Sequence, residues 1–287
     1  MSGSLSSAAF DTLAALLKSQ SGLIIGTDKL YLLETRLSAI LKREKLADMN
    51  QLAERLKRSG SDPLARDVVE AMTTNESFFF RDDKPFTHFK AQALPRLVAA
   101  RPAGSTIRVW SAASSSGQEA YSLAMIVAES RALLGDRKVE IVGTDIARDQ
   151  LARAREGLYS QFEVQRGLPV QLLMRYFRKE DTAWRLNETI RAMVQFREFN
   201  LLSDLRSLGR FDIVFCRNVL IYFDQPTKSR VLGAIAGIMP ADGILYLGGA
   251  ETVLGITGRF APLPAERGVY GVTGAGSAAA GRMAATV

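Results

Sequence analysis

One cysteine, Cys216, and one histidine, His88, occur in 287 residues. A single cysteine excludes an internal disulfide and a cysteine-based metal site, and it makes a reducing cytoplasm the expected compartment. A single histidine argues against a multi-histidine metal centre and leaves one candidate for a triad base. No metal is therefore expected. Long apolar runs are missing too. The stretch VFCRNVLIYF carries Arg217 and Asn218 in its middle, so neither a membrane span nor direct membrane insertion is predicted. The N-terminus has no basic segment followed by an apolar one, and no secretion signal is predicted. The phosphate-cradling pattern G-x-G-x-x-G is absent as well.

What is present is a chain that is 47% hydrophobic, with a net charge of +7 and a pI of about 9.6. Such a chain can bury a sizeable core, and its basicity suits either an ordinary solvated surface or an anionic partner. Residues 1–74 read as a small helical domain. In KLYLLETRLSAILKREKL, Leu30, Leu33, Leu37, Ile40 and Leu41 share one helical face. Lys29, Arg36 and Arg43 recur every seven residues on another face, with Lys42 and Lys45 beside them. Between Arg36 and Arg58 there are seven basic and three acidic residues, a local charge of +4.

The next segment, MTTNESFFFRDDKPF, is polar, then triply aromatic, then charged. Burying each phenylalanine is worth roughly 1.5–3 kcal/mol, so the segment is expected to pack rather than hang free. A helix is predicted at about 84–99. From Ile107 strands and helices alternate. IRVW, VEIVGTDI, FDIVFCRN, GILYLGG and GVYGVT read as strands; 118–134, 148–156 and 226–239 read as helices. This rhythm predicts an α/β domain with a mostly parallel sheet covered on both faces. Residues 176–197 interrupt it as a small antiparallel excursion. The expected organisation is a helical domain over 1–74, an α/β domain over 75–273 with the excursion inserted, and a low-complexity, disordered tail over 274–287.

Ligands of open α/β sheets lie beyond the carboxyl ends of the strands. After IRVW comes Ser111–Gly117, a run of small residues opening a helix, where backbone amides can approach a ligand closely. Glu119 in that helix's first turn would repel a phosphate but can pair with a cation; it can equally be a favourable charge on the helix dipole. After VEIVGT comes Asp145, suited to ribose hydroxyls, or to capping the next helix. Asp145 lies 28 residues beyond Gly117, against a usual spacing of about 20. Asn200 follows MVQFREF, and Arg217 and Asn218 follow FDIVFC. A nucleoside with a cationic centre and no required phosphate fits these groups. S-adenosyl-L-methionine is such a ligand, whereas a nicotinamide dinucleotide would need the missing pyrophosphate turn.

The motifs TTNESFFFRD, WSAASSSGQEAYSLAM, GTDI, GLPVQLLMRYF and FDIVFCRNVLIYFD, in that order, resemble the CheR family of chemotaxis-receptor glutamate methyltransferases. The resemblance runs from the N-terminal helices to about Thr273. It implies a Rossmann-like S-adenosyl-L-methionine-dependent methyltransferase domain with a small β subdomain, preceded by a small all-helical domain. It implies cofactor contacts from Asn75, Ser77, Arg81, Glu119, Asp145, Asn200, Leu201, Arg217 and Asn218. It puts Arg81 and Tyr222 nearest the transferred methyl. The chain departs from the family's usual pattern at Ala112-Ala113 and at Ala120, both small changes.

The implied reaction is methyl esterification of glutamate side chains on the cytoplasmic helical region of chemotaxis receptors, for sensory adaptation, leaving S-adenosyl-L-homocysteine. A glutamate of pKa ~4.3 is almost fully ionised at pH 7, so no general base is needed. The basic residues Lys29, Arg36, Lys42, Arg43 and Lys45 are the candidate receptor-binding stripe. The turn RKEDTAW is shorter than in members that grip a receptor's C-terminal tether, which argues against tethering here. A cytoplasmic monomer is expected. Two further readings are a non-catalytic cofactor sensor or scaffold and a nucleic-acid methyltransferase. The second lacks an aromatic platform interleaved with basic residues, and no nucleic-acid partner is expected.

Overall fold

A computed structural model of the chain describes residues 5–58, 63–264 and 267–273. The tail expected over 274–287 lies outside the described residues. The chain divides into two compact units. One comprises residues 1–74 together with Tyr222–Thr227, the other Asn75–Ile221 together with the chain from Lys228 onward.

Among the described residues, the first unit holds four α-helices: α1 (Ser7–Ser21), α2 (Leu30–Arg43), α3 (Met49–Arg58) and α4 (Pro63–Met72). Helix α1 starts where the Ser6 side chain accepts from the Ala9 amide and stops at Gly22, which is left-handed at φ 78°. Apolar residues four and three apart make the core stripe of each helix. Ala9, Leu13 and Leu17 are buried on α1, and Leu33, Leu37 and Ile40 on α2. Leu30 and Leu41, expected on the same face of α2, flank the stripe and are half-buried. The short segment Tyr222–Thr227 joins this unit through an Ile24 amide donating to the Tyr222 carbonyl (3.0 Å) and a Lys18–Asp224 ion pair (2.8 Å).

The second unit begins with the aromatic segment and then α5 (Lys84–His88), a π-helical turn (Phe89–Ala93) and α6 (Leu94–Ala100). In place of the single helix expected there, the ladder loosens for one turn. The alternating part follows: β1 (Thr106–Ala112), α7 (Gln118–Glu129), α8 (Arg131–Leu134), β2 (Lys138–Asp145), α9 (Arg148–Glu156) and β3 (Leu158–Ser160). Then come α10 (Gln161–Gln165), α11 (Val170–Tyr176), β4 (Phe177–Glu180), β5 (Ala183–Leu186), α12 (Glu188–Arg191), β6 (Val194–Glu198) and β7 (Ile213–Cys216). The last elements of the described residues are α13 (Gln225–Gly237), β8 (Ile244–Tyr246), β9 (Phe260–Pro262) and β10 (Val269–Val272).

Seven strands form the main sheet in the order β6-β2-β1-β7-β8-β10-β9. Pairing is parallel from β6 through β8, and β10 runs antiparallel to both β8 and β9. Strand β7, IVFC, is buried at every residue, as a central strand covered on both faces must be. After β1 the chain crosses to β2 on one side, while β7 lies on the other. The switch in strand order therefore falls between β1 and β7, the place where such sheets bind ligands.

The antiparallel excursion expected over 176–197 needs correcting at both ends. The hairpin β4–β5 spans Phe177–Leu186, and β3, which precedes α10 and α11, completes a separate three-stranded sheet in the order β3-β5-β4. Val194–Glu198 does not belong to it. This segment is the edge strand of the main sheet, pairing in parallel with Ile141–Asp145. Strand β9 was not expected from the sequence; it is only three residues long and contains Pro262, which weakens any strand pattern.

Candidate active site

The carboxyl ends of β1, β2 and β7 converge on the loop Ser111–Gly117. Ser111, Ser114, Ser115, Ser116 and Gln118 are all buried although polar. The loop is bent sharply: Ala113 and Ser115 hold left-handed backbone at φ 54° and 50°. Small side chains lower the steric cost of that conformation, but each such residue still stores about 1–3 kcal/mol of strain. The loop is pinned by the Ser114 amide donating to the Thr144 carbonyl (2.8 Å) and by the Ser115 hydroxyl donating to the Asn75 carbonyl (2.7 Å). The second bond ties the linker segment to the loop.

Asp145, the last residue of β2, is buried. One carboxylate oxygen accepts from the Ser115 amide (2.8 Å) and the other from the Ala147 amide (2.9 Å). Burial pushes its carboxyl above the usual range, and these backbone donors pull it back. Ala147, rather than Asp145, is the N-cap of α9, so capping is not the function of this carboxylate.

Glu119 projects from the first turn of α7. Its oxygens accept from the Ser111 hydroxyl (2.8 Å) and from Arg217 Nη1 (3.0 Å). Burial raises its carboxyl, and the Arg217 charge and the Ser111 hydroxyl oppose that rise. Arg217, directly after β7, has a side chain only 1% exposed. Its Nη2 donates to the Arg81 carbonyl (2.8 Å) and to Asp82 (2.7 Å). One guanidinium thus joins the α7 turn to the linker, a task its planar fork can do and a lysine cannot.

The aromatic linker packs as its composition requires. Phe79 is fully buried and meets Tyr159 of β3 and Phe177 of β4 edge to face, with centroids 5.0 and 5.6 Å away. Tyr159 in turn donates to the Ser116 carbonyl (2.8 Å). Phe80 stands against Phe86, and its amide donates to the Ser122 hydroxyl (3.0 Å). Phe78 carries two guanidinium groups, Arg166 at 4.2 Å and Arg81 at 5.4 Å from its centroid. Arg81 also donates to the Glu76 carbonyl (3.0 Å).

Sequence-predicted residues are thus drawn together to different degrees. Asn75 and Asp145 meet at Ser115, while Arg81, Glu119 and Arg217 form a second network with Ser111 and Asp82. Asn200 uses its side-chain oxygen to accept the Leu202 amide (2.9 Å), and Leu201 beside it is buried. Asn218 stands at φ 58°. Ser77 is half-buried in the linker. Tyr222 groups with the helical unit. In that unit Arg36 donates to the carbonyls of Met72 (2.7 Å) and Thr73 (3.0 Å), and Arg43 pairs with Asp67 (2.7 Å) and Glu44 (2.9 Å). Lys29, Lys42 and Lys45 are exposed.

His88, the sole triad-base candidate, is buried in α5 with Nδ1 2.8 Å from the Tyr246 hydroxyl. It is a satisfied core histidine. Sequence reasoning named the serine-rich loop as a whole, without roles for Ser111 and Ser115, and missed Asp82 and Tyr159, which nothing local marks.

The donor set fits a nucleoside with a cationic tail. Asp145 at the end of β2 and Glu119 in the first turn of α7 oppose a phosphate and suit hydroxyls and an ammonium. Among the described residues, Ser114 Oγ and Arg217 Nε are buried without a partner, polar atoms of the kind a ligand or water satisfies. No group of His, Cys, Asp or Glu among the described residues is arranged to hold a metal, and no described helix is long and apolar enough to cross a membrane.

Comparison with known proteins agrees with this geometry. The family model described as CheR methyltransferase, SAM binding domain, matches residues 75–269, and that described as CheR methyltransferase, all-alpha domain, matches residues 8–73. The chain is 37% identical to chemotaxis protein methyltransferase Cher2 of Pseudomonas putida, over 91% of this chain and 96% of that one. It is 38% identical to chemotaxis protein methyltransferase 1 of Pseudomonas aeruginosa (93% and 98% covered) and 38% identical to the chemotaxis protein methyltransferase of Vibrio parahaemolyticus (88% and 92%). With both domain models matched in order and relatives similar along nearly their whole length, this chain belongs to the CheR methyltransferase family.

Proposed function

We propose that this methyltransferase esterifies the γ-carboxyl of glutamate side chains on chemotaxis receptors, with S-adenosyl-L-methionine as the donor. The observation that carries the reading is the pair of carboxylates beside the Ser111–Gly117 loop: Asp145, buried at the end of β2, and Glu119, 12% exposed in the first turn of α7 and paired with Arg217. Relatives of similar length bear the name chemotaxis protein methyltransferase. The cofactor supplies a methyl group that is already electrophilic because it is bound to a sulfonium.

The chain's own residues then have limited tasks. Glu119 takes the amino end of the cofactor and Asp145 its ribose hydroxyls, with Asn75, Ser77, Asn200, Leu201 and Asn218 lining the remainder. Arg217 holds Glu119 in place and offsets part of its burial. Arg81 steers the acceptor carboxylate through a charge-assisted bond. Its guanidinium rests on Phe78, which limits the freedom lost on binding. Tyr222 orients the acceptor by its hydroxyl. No residue removes a proton, since a glutamate of pKa ~4.3 is ionised at neutral pH. Alignment is what the protein contributes, and alignment can supply on the order of 7–11 kcal/mol of barrier reduction.

A transfer assay with methyl-labelled cofactor and membranes carrying the cognate receptors tests this. Label should enter the receptor band and leave as methanol on mild base, as a carboxyl ester does. Arg81→Ala should lower kcat at least tenfold. Base-stable label, or label on nucleic acid, would overturn the proposal.

A further inference from the structure

Glu251 lies beyond β8, in a segment with no recognisable motif, and it is buried. Its two oxygens accept five backbone amides. Oε2 takes those of Asn218 (2.8 Å) and Gly248 (2.7 Å); Oε1 takes those of Val219 (3.0 Å), Leu220 (2.7 Å) and Ile221 (3.3 Å). Four consecutive amides aimed at one carboxylate form an anion-binding concavity filled by the protein's own side chain. The turn they belong to includes Asn218 at φ 58°, left-handed backbone that asparagine tolerates better than other non-glycine residues and that the Glu251 carboxylate holds through the amide of Asn218 itself. Gly248 completes the clamp. A Cβ there would stand 2.7 Å from Asn218 Nδ2 and 2.8 Å from Glu251 Oε2.

We propose that Glu251 is a positioning residue for the cofactor site. It fixes the Asn218–Ile221 turn at the end of β7 and so sets the aim of Asn218 and, through the chain, of Arg217. The inference rests on the reading that Arg217 and Asn218 belong to the cofactor site. Both oxygens of Glu251 are occupied by the protein's amides, so its effect on the reaction passes through the turn it holds.

The test uses the full chain with Glu251→Gln and Glu251→Asp. The amide group of glutamine sets an N–H donor against backbone donors, while aspartate keeps both acceptor oxygens on a shorter arm. For Glu251→Gln we expect S-adenosylhomocysteine affinity, measured by calorimetry, to fall at least tenfold. KM for the methyl donor should rise, and hydrogen exchange should quicken at the amides of residues 218–221 while the rest of the sheet stays protected. Glu251→Asp should recover part of both effects.

Unchanged exchange at those amides in Glu251→Gln would overturn the proposal. So would faster exchange there with native S-adenosylhomocysteine affinity. If Glu251→Gln does not fold, Gly248→Ala strains the same clamp from the other side and is judged by the same two readouts. Should the wild-type protein bind S-adenosylhomocysteine yet methylate no glutamate, the proposed function fails, while exchange and affinity still decide the role of Glu251.

Discussion

Arg217 concentrates the electrostatics of the site in a single side chain. It is almost fully buried, it pairs with Glu119 and Asp82, and its Nε has no partner among the described residues. Removing one member of such a pair leaves the other charge buried, which costs about 3–5 kcal/mol. Arg217→Met should therefore destabilise the protein by about that amount in denaturant unfolding. Arg217→Lys keeps the charge but cannot bridge Glu119, the Arg81 carbonyl and Asp82 together. It should lose less stability while still weakening S-adenosylhomocysteine binding about tenfold or more by calorimetry. Native-like affinity in the lysine variant would show that the bridge is dispensable. At this scale the reading of strand ends named Glu119, Asp145, Asn200, Arg217 and Asn218; of these, Glu119, Asp145 and Arg217 stand in the hydrogen bonds around the Ser111–Gly117 loop. Partners that arrive from distant segments, such as Glu251 or Tyr159, leave no trace in local spacing.

The linker shows how an element without regular structure can be more constrained than a helix. Phe80, Asp82 and Asp83 all have positive φ, at 51°, 66° and 45°, each a cost of about 1–3 kcal/mol that the surrounding packing must offset. Phe79 does much of that offsetting through Tyr159 and Phe177. Its truncation, Phe79→Ala, should cost about 3–5 kcal/mol of stability. Gly167, at φ 84°, passes so close to the linker that a Cβ would stand 2.1 Å from the Phe79 carbonyl oxygen. Gly167→Ala should thus lower the melting temperature with no change in any hydrogen-bonding group. A melting curve that matches the wild type for both variants would remove the linker from the account. That the three phenylalanines pack was legible from their apolar cost alone. What they pack against was not, because β3 is three residues long and carries no periodic signal. The same brevity hid β9. Val194–Glu198, which the excursion over 176–197 took in, is an edge strand of the main sheet, with Val194 buried and the residues on its other face exposed.

For the molecule as a whole, the α/β rhythm and the helical domain could be read directly, because β1, β2 and β7 are bounded by turn residues and α1 and α2 keep a clean apolar period. Surface charge is harder to interpret from sequence. Of the basic stripe on α2, Arg36 is committed to the last carbonyls of α4 and Arg43 to two carboxylates, so neither is a clean probe of receptor docking. Lys29 and Lys42 are exposed and better suited. Lys29→Glu with Lys42→Glu should slow receptor methylation several-fold at low ionic strength, less so at ~0.15 M salt where the screening length is about 8 Å, with S-adenosylhomocysteine affinity unchanged. Equal rates at low salt would remove the stripe from receptor recognition. The bond from the Tyr159 hydroxyl to the Ser116 carbonyl has a consequence of its own. It makes the three-stranded sheet part of the framework of the serine-rich loop, not a detachable appendage. Exchanging that sheet for a relative's version, to give this protein a new grip on its target, would succeed only if the graft carried a tyrosine at the same register.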